Sequence, residues 1–307
     1  MADSAAVPPG ALFTGSGVAL VTPFDGDGSV NEPVLRELVR FHVREGTDAL
    51  VVNGSTGEAS AMSAEEQRRC VEVVVDEAAG ALPVIAGAGG SDTAAVARLA
   101  RAARDAGANG LLVAPPPYNK PPQRGIVAHY RAVMDAGDLP TIVYNVPGRT
   151  ACNILPATVV ELAEDRRVVG VKEASGDISQ VAELCRLLAD RIAIYSGNDD
   201  QIVPLMALGG VGVISVLANV APRDTSRLAH AFLEGEIAES RALQLRLLPL
   251  ISALFREANP IPVKAGVGML GFAVGQPRLP LVEVSDAVRI ELEHALADAG
   301  LSAPAAV

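Results

Sequence analysis

Val168-Val169-Gly170-Val171-Lys172-Glu173-Ala174-Ser175-Gly176-Asp177 joins a short apolar run to a lone amine and then to a small polar turn. A strand covered on both faces reads as an unbroken apolar run, so residues 168–171 predict a buried parallel strand. Lys172 closes that strand, where a charge has no packing use. On this stretch alone two readings of it stand. It snorkels to solvent or pairs with a carboxylate, or it is a desolvated amine of lowered pKa, the form a Schiff-base nucleophile requires.

Outward from this stretch, similar β-branched runs recur at intervals of roughly 25 residues, the size of one β/α unit. Upstream lie residues 17–21, 49–52, 83–86, 110–113 and 141–144; downstream lie 192–195 and 212–216. With 168–171 they make eight, the number that closes a parallel barrel. Helix signals fall between them. Ser63-Ala64-Glu65-Glu66 is a capping box opening a helix to about residue 79, and Asn31-Glu32-Pro33 offers an N-cap with proline in the first turn. Asp92 begins an Ala-rich helix that Gly107 ends, and Pro156 starts a short helix after the fifth strand.

Beyond the eighth strand the pattern turns helical, broken at Gly235, at Asn259-Pro260 and at Gly275-Gln276-Pro277. The sequence therefore predicts an α/β fold, a (β/α)8 TIM barrel over residues 12–223. A helical extension of about three helices follows over 224–307, and a short disordered tail precedes the barrel over 1–11. Apolar residues make up 50% of the 307, yet aromatics only 3% and Trp is absent, so the core is built from Val, Leu, Ile and Ala. A dinucleotide-binding open sheet is not supported: Gly87-Ala88-Gly89-Gly90 lacks the third glycine and the later acidic residue of that fingerprint.

Asp plus Glu (36) outnumber Lys plus Arg (25), giving a formal charge of −11 and no basic stripe, so nucleic acid is not an expected partner. The three cysteines, Cys70, Cys152 and Cys185, have no metal or redox spacing and fit reduced thiols. His42, His129, His230 and His294 fall in helical segments without ligand spacing, and no metal site is expected. The first ten residues have neither a basic region nor an apolar core, and no stretch approaches the ~20 apolar residues of a membrane span. A soluble, cytoplasmic protein without membrane partners is expected.

In such a barrel the chemistry collects where strands end, so those residues carry the functional reading. Strand two runs into Asn53-Gly54-Ser55-Thr56-Gly57-Glu58, whose hydroxyls and backbone N–H groups are either loop chemistry or a carboxylate cradle. Strand four leads to Pro115-Pro116-Pro117-Tyr118-Asn119-Lys120-Pro121-Pro122, a stiff presenter of Tyr118. Strand five ends in Tyr144-Asn145-Val146-Pro147-Gly148-Arg149-Thr150, with Arg149 suited to a bidentate grip on an anion. Strand seven ends in Ser196-Gly197-Asn198-Asp199. One lysine, two tyrosines, two hydroxyls and one arginine at one barrel mouth are the parts for covalent amine catalysis on a keto acid.

These motifs, with Gly212-Val213-Ile214-Ser215-Val216, resemble in order and spacing the dihydrodipicolinate synthase and N-acetylneuraminate lyase family of pyruvate-dependent class I aldolases, over nearly the whole chain. The resemblance implies that Lys172 forms an imine with pyruvate and that Thr56 and the neighbouring turn amides hold the pyruvate carboxylate. It assigns a proton relay to Tyr144, Ser55 and Tyr118, with Tyr118 reaching in from the neighbouring subunit of a tight dimer. Gly197 and Ile214 join the substrate-binding set, and Arg149 holds the carboxylate of the aldehyde. A homo-oligomer, a tetramer built from tight dimers, is implied, and no cofactor or metal.

Arg149, Asn259-Pro260-Ile261-Pro262-Val263-Lys264 and Arg278-Leu279-Pro280-Leu281 resemble the branch that condenses pyruvate with L-aspartate 4-semialdehyde in lysine biosynthesis. Ser55 departs from the threonine usual in that branch but keeps a hydroxyl. Alternatives are an aldolase of the same family acting on a sugar acid, such as N-acetylneuraminate or a 2-keto-3-deoxy acid, or a barrel that binds a keto acid without turnover. Members inhibited by lysine carry polar, His or aromatic residues where this chain has Ala64, Gln67, Ser91, Ala95 and Pro117, so weak or absent feedback by lysine is expected.

Overall fold

The computed structural model describes residues 8–301. Eight parallel strands pair in chain order and close on themselves: β1 (Gly15–Ala19), β2 (Ala49–Val52), β3 (Val84–Ala88), β4 (Gly110–Val113), β5 (Thr141–Asn145), β6 (Val168–Glu173), β7 (Ala193–Ser196) and β8 (Gly212–Ser215). The fold is thus the expected TIM barrel. Of the tail expected over 1–11, residues 1–7 lie outside the described residues. Residues 8–11 form a turn in which Ala11 N–H donates to the Pro8 carbonyl at 3.2 Å.

The first strand starts and stops two residues earlier than its apolar run. Leu20 still donates to Val51, but Val21 N–H turns to the Asn219 side chain at 3.1 Å, which ends the ladder there. At the other extreme β6 runs two residues past its apolar run and takes Lys172 and Glu173 into the sheet.

Helices α1 (Glu32–Arg44), α2 (Ala64–Ala78), α3 (Thr93–Asp105) and α4 (Gln123–Gly137) cover the first half of the barrel. Asn31 caps α1, the Ser63/Glu66 capping box opens α2 with both of its hydrogen bonds made, and Asp92 caps α3. The second half carries α5 (Pro147–Thr150), α6 (Pro156–Leu162), α7 (Ile178–Leu188), α8 (Ile202–Ala207) and α9 (Pro222–Leu233). The last of these packs against β1 and β8 and closes the ring. The boundary expected between 223 and 224 falls inside α9, which belongs to the ring because it packs on β1 and β8; beyond it α10 (Ile237–Leu254), α11 (Ile261–Met269) and α12 (Asp286–Asp298) make the extension.

Side chains alternate between two cores. Val18, Leu50, Leu111, Val143, Ile194 and Val213 face the helices. Ala19, Ala49, Val51, Ile85, Leu112, Ile142, Tyr144 and Ile214 fill the barrel, whose lower end is closed by Tyr195 stacked on Phe13 with centroids 4.5 Å apart. Only β6 breaks the alternation. Its register against β5 jumps, Thr141 facing Val168 and Ile142 facing Gly170, so one extra residue is bulged out. Val168 faces out and Val169 in, yet Val171 faces out again. Because the period of a strand is two, the bulge reverses the phase of all that follows, and Lys172 enters the barrel instead of the helix layer. Gly170 suits this crowding: a Cβ there would lie 2.9 Å from the Ala193 carbonyl oxygen and 3.1 Å from Tyr195 Cε2.

The extension is riveted to the barrel mouth. Lys264 of α11 and Glu58 form an ion pair at 2.7 Å with both side chains 1% exposed, and Glu58 also accepts from Arg278 N–H at 2.8 Å. The Arg278 guanidinium donates to the carbonyls of Gly28 and Ala61 and to Glu66, lying 4.2 Å above the Phe24 ring. That bond holds the Glu66 carboxyl down at about 2.

Candidate active site

The bulge brings Tyr144, Lys172 and Tyr195 into register, as paired inward-facing neighbours on β5, β6 and β7. Lys172 is 4% exposed and its Nζ lies 4.4 Å from the centre of the Tyr144 ring. Burial pushes the amine down to about 8, against the pull of the Asp199 carboxylate and with help from the Arg149 charge. The second reading of this lysine, a desolvated amine, is the one that matches its surroundings. Tyr144 is raised above the ordinary phenol value by burial, which Arg149 and the Ser55 hydroxyl oppose.

Gly197, at the end of β7, gives Lys172 its room. A Cβ there would stand 2.6 Å from Ala174 Cβ and 3.0 Å from Lys172 Cε. Its N–H is spent on the Glu173 carbonyl at 2.7 Å. Asp199 follows, fully buried, with Oδ2 accepting from Val216 N–H at 3.0 Å and Leu217 N–H at 2.9 Å. Burial raises its carboxyl above the usual range. Behind the strand Glu173 is satisfied by Asn145, Ser175 and Gln180, so the carboxylate next to Lys172 in sequence faces away from it and is fully used.

The turn after β2 is held from three sides. Thr22 Oγ1 donates to the Gly57 carbonyl at 2.7 Å, and Glu58, in a left-handed conformation at φ 56°, is locked by Lys264 and Arg278. Thr56 is buried and its Oγ1 accepts from Asn259 Nδ2 at 2.9 Å, while Ser55 is exposed to the cavity. Arg149 sits on the one-turn α5, where Nη2 donates to the Asn259 carbonyl at 2.9 Å.

A cavity of about 80 Å³ is lined by Ser55, Thr56, Tyr144, Arg149, Lys172, Gly197 and Asn259. It adjoins a larger one of about 370 Å³, also lined by Ser55, Tyr144 and Arg149 and roofed by Arg278, Pro280 and Leu281. Six of the eight expected site residues thus share one small space. Ile214 lies in the barrel filling on β8 and is fully buried. Tyr118 lines neither cavity: it is 90% exposed at φ 69°, on a loop that Asn119 ties to the Ser91 carbonyl. Sequence reasoning assigned no site role to Asn259 or Asp199. Asn259 joins the site across 203 positions of sequence, and its local signs are the break in helical pattern at Asn259-Pro260 and its place in the Asn259–Lys264 stretch that carries the branch resemblance.

A buried amine of lowered pKa, a phenol, hydroxyls and a guanidinium around one small cavity are suited to attack on a carbonyl with a carboxylate held alongside. Among the described residues no helix is long and apolar enough to cross a membrane.

A model of the Dihydrodipicolinate synthetase family matches residues 12–299. The 4-hydroxy-tetrahydrodipicolinate synthase of Caldicellulosiruptor bescii is 51% identical over 291 residues, 95% of this chain and 98% of that protein. The enzyme of the same name from Thermoanaerobacter sp. strain X514 is 50% identical over 94% of this chain and 98% of its own length. The crystal structure of dihydrodipicolinate synthase from Aquifex aeolicus superposes with a TM-score of 0.92 at 41% identity, covering 95% of this chain and 99% of that one. Family match, sequence identity and structural likeness all run over nearly the whole chain, which belongs to the dihydrodipicolinate synthetase family.

Proposed function

We propose that this chain is a class I, lyase-type aldolase that condenses pyruvate with L-aspartate 4-semialdehyde to 4-hydroxy-tetrahydrodipicolinate, a step of lysine and diaminopimelate biosynthesis. The observation that carries the reading is Lys172, a buried amine held near 8 in a cavity shared with Ser55, Thr56, Tyr144 and Arg149. Its neutral Nζ attacks the keto carbon of pyruvate, and loss of water from the carbinolamine gives the imine. The imine is the electron sink, so the methyl group yields a proton and becomes an enamine carbon. That carbon adds to the aldehyde. The amino group of the aldehyde then attacks the imine carbon, closes a six-membered ring and returns the lysine amine. No step calls for a metal or a redox cofactor.

In this reading Thr56 and the turn amides hold the pyruvate carboxylate, Arg149 holds that of the aldehyde, and Tyr144, Ser55 and Tyr118 pass the protons. Gly197 and Ile214 complete the substrate pocket. An aromatic side chain 90% exposed on a stiff loop supports Tyr118 as a group that serves a second copy, in a tight dimer that pairs into a tetramer. Weak or absent inhibition by lysine and a cytoplasmic location belong to the same reading. Borohydride reduction with pyruvate, followed by peptide mass mapping, tests the carrier observation. A pyruvate-derived adduct on Lys172 is expected, with turnover of L-aspartate 4-semialdehyde lost in Lys172→Ala. An unmodified Lys172 peptide overturns the covalent mechanism.

A further inference from the structure

We infer that Asn259, supplied by the extension, is a positioning residue that aims the Thr56 hydroxyl proton into the cavity while its backbone steadies Arg149. The inference rests on the reading above of Thr56 and Arg149 as carboxylate grips. Asn259 is 7% exposed, lies between α10 and α11 and lines both cavities. Its two bonds run to the two grips and to nothing else in the barrel: Nδ2 donates to Thr56 Oγ1 at 2.9 Å, and its carbonyl accepts from Arg149 Nη2 at 2.9 Å.

A hydroxyl has one proton and two lone pairs. With a lone pair of Thr56 filled by an amide N–H, the proton has no call to turn toward Asn259 and is left to point at the cavity, where a carboxylate, an acceptor only, needs it. A free threonine rotor would spend part of its time donating to protein oxygens. The second contact works likewise. One N–H of Arg149 is committed to a fixed carbonyl, which sets the plane of the guanidinium and leaves the remaining donors for an anion. Asn259 Oδ1 is buried with no hydrogen-bond partner among the described residues, so the bond to Thr56 is the side chain's only hydrogen bond there, and no other hydrogen bond calls for an amide at this position.

Steady-state kinetics of Asn259→Ala, Thr56→Val and the double variant test this. Asn259→Ala removes the side-chain donor and keeps the carbonyl that Arg149 uses. The pyruvate KM is expected to rise about tenfold, with the aldehyde KM changed less than about threefold. In the Thr56→Val background, where no hydroxyl remains to be aimed, the same substitution is expected to add nothing further to the pyruvate KM. A pyruvate KM that stays put in Asn259→Ala but rises in Thr56→Val overturns the inference and spares the proposed function. An effect of equal size in both backgrounds marks a merely structural residue and also overturns it. If Thr56→Val itself leaves the pyruvate KM unchanged, the carboxylate grip and the inference fall together. Should Asn259→Ala not fold, Asn259→Asp keeps the side-chain shape, lacks the donor and is judged by the same criteria.

Discussion

The lowered basicity of Lys172 makes a quantitative demand on the rate of imine formation. Burial takes the amine from the ordinary 10.5 to about 8. At neutral pH about one amine in ten is then unprotonated, against fewer than about one in a thousand for an ordinary lysine, a gain of roughly 300-fold or about 3 kcal/mol. Trapping by borohydride at subsaturating pyruvate reads this step alone and needs no aldehyde. Its rate is expected to climb with pH below about 8 and to level off above it, because only the neutral amine attacks. Two charges move the inflection in opposite directions. Removing the Arg149 charge in Arg149→Met raises it, since that charge disfavours the ammonium; removing the Asp199 charge in Asp199→Asn lowers it. An inflection near the ordinary lysine value in the wild-type protein, or the same direction of shift in both variants, refutes the electrostatic account.

Gly197→Ala is expected to cut trapping and turnover by at least about 100-fold, because the new methyl needs the space of Ala174 Cβ and Lys172 Cε and displaces the amine; trapping at the wild-type rate sinks that. Lys264→Met leaves Glu58 buried without its partner and should cost about 3–5 kcal/mol in a urea unfolding series, while Glu58→Gln combined with Lys264→Met recovers most of it. A double variant no more stable than the single one contradicts the pairing. At the barrel floor His230 Nε2 lies 3.0 Å from Asp48, whose bond raises the imidazole pKa; Glu234 adds to this and Arg227 opposes it. A raised folded-state pKa contributes stability that is complete below about 6.5 and lost as pH rises through the folded value, so the Tm advantage over His230→Asn should shrink on going from about pH 6 to about pH 9. A difference constant across that range argues against the pair.

Much of this was open to reading because the decisive residues break local rules. Lys172 ends an apolar run, Arg149 sits in a Pro-Gly turn, and Ser55 and Thr56 lie between glycines, so each marks a strand end from its own neighbourhood. Eight short runs at even spacing then put all of them at one mouth. The pairings that hold the mouth together have no such signature. Glu58 is visible in its turn, but Lys264 lies 206 positions away in a helix with nothing to announce a buried charge, and Asn259 reads as a helix break. Strand ends shift for the same reason: whether Val21 pairs with a neighbouring strand or with Asn219 is settled by a residue 198 positions away in sequence, just past β8. The bulge in β6 was hidden too, because four apolar residues in a row have no alternation to interrupt.

That bulge makes the orientation of the amine a matter of parity. Along β6 the count from Val169 to Lys172 is odd, and the single unpaired position converts what would be an outward address into an inward one. Straightening the bulge without losing a residue, or inserting one residue with the bulge kept, would hand Lys172 to the helix layer and present its neighbour Glu173 to the substrate, exchanging a nucleophile for an acid, whereas deleting the bulged residue itself would leave Val169 and Lys172 two apart and both inward. The chemistry of this barrel is therefore guarded by an integer as much as by a side chain, and a one-residue change in β6 is tolerable only where the bulge is gained or lost with it.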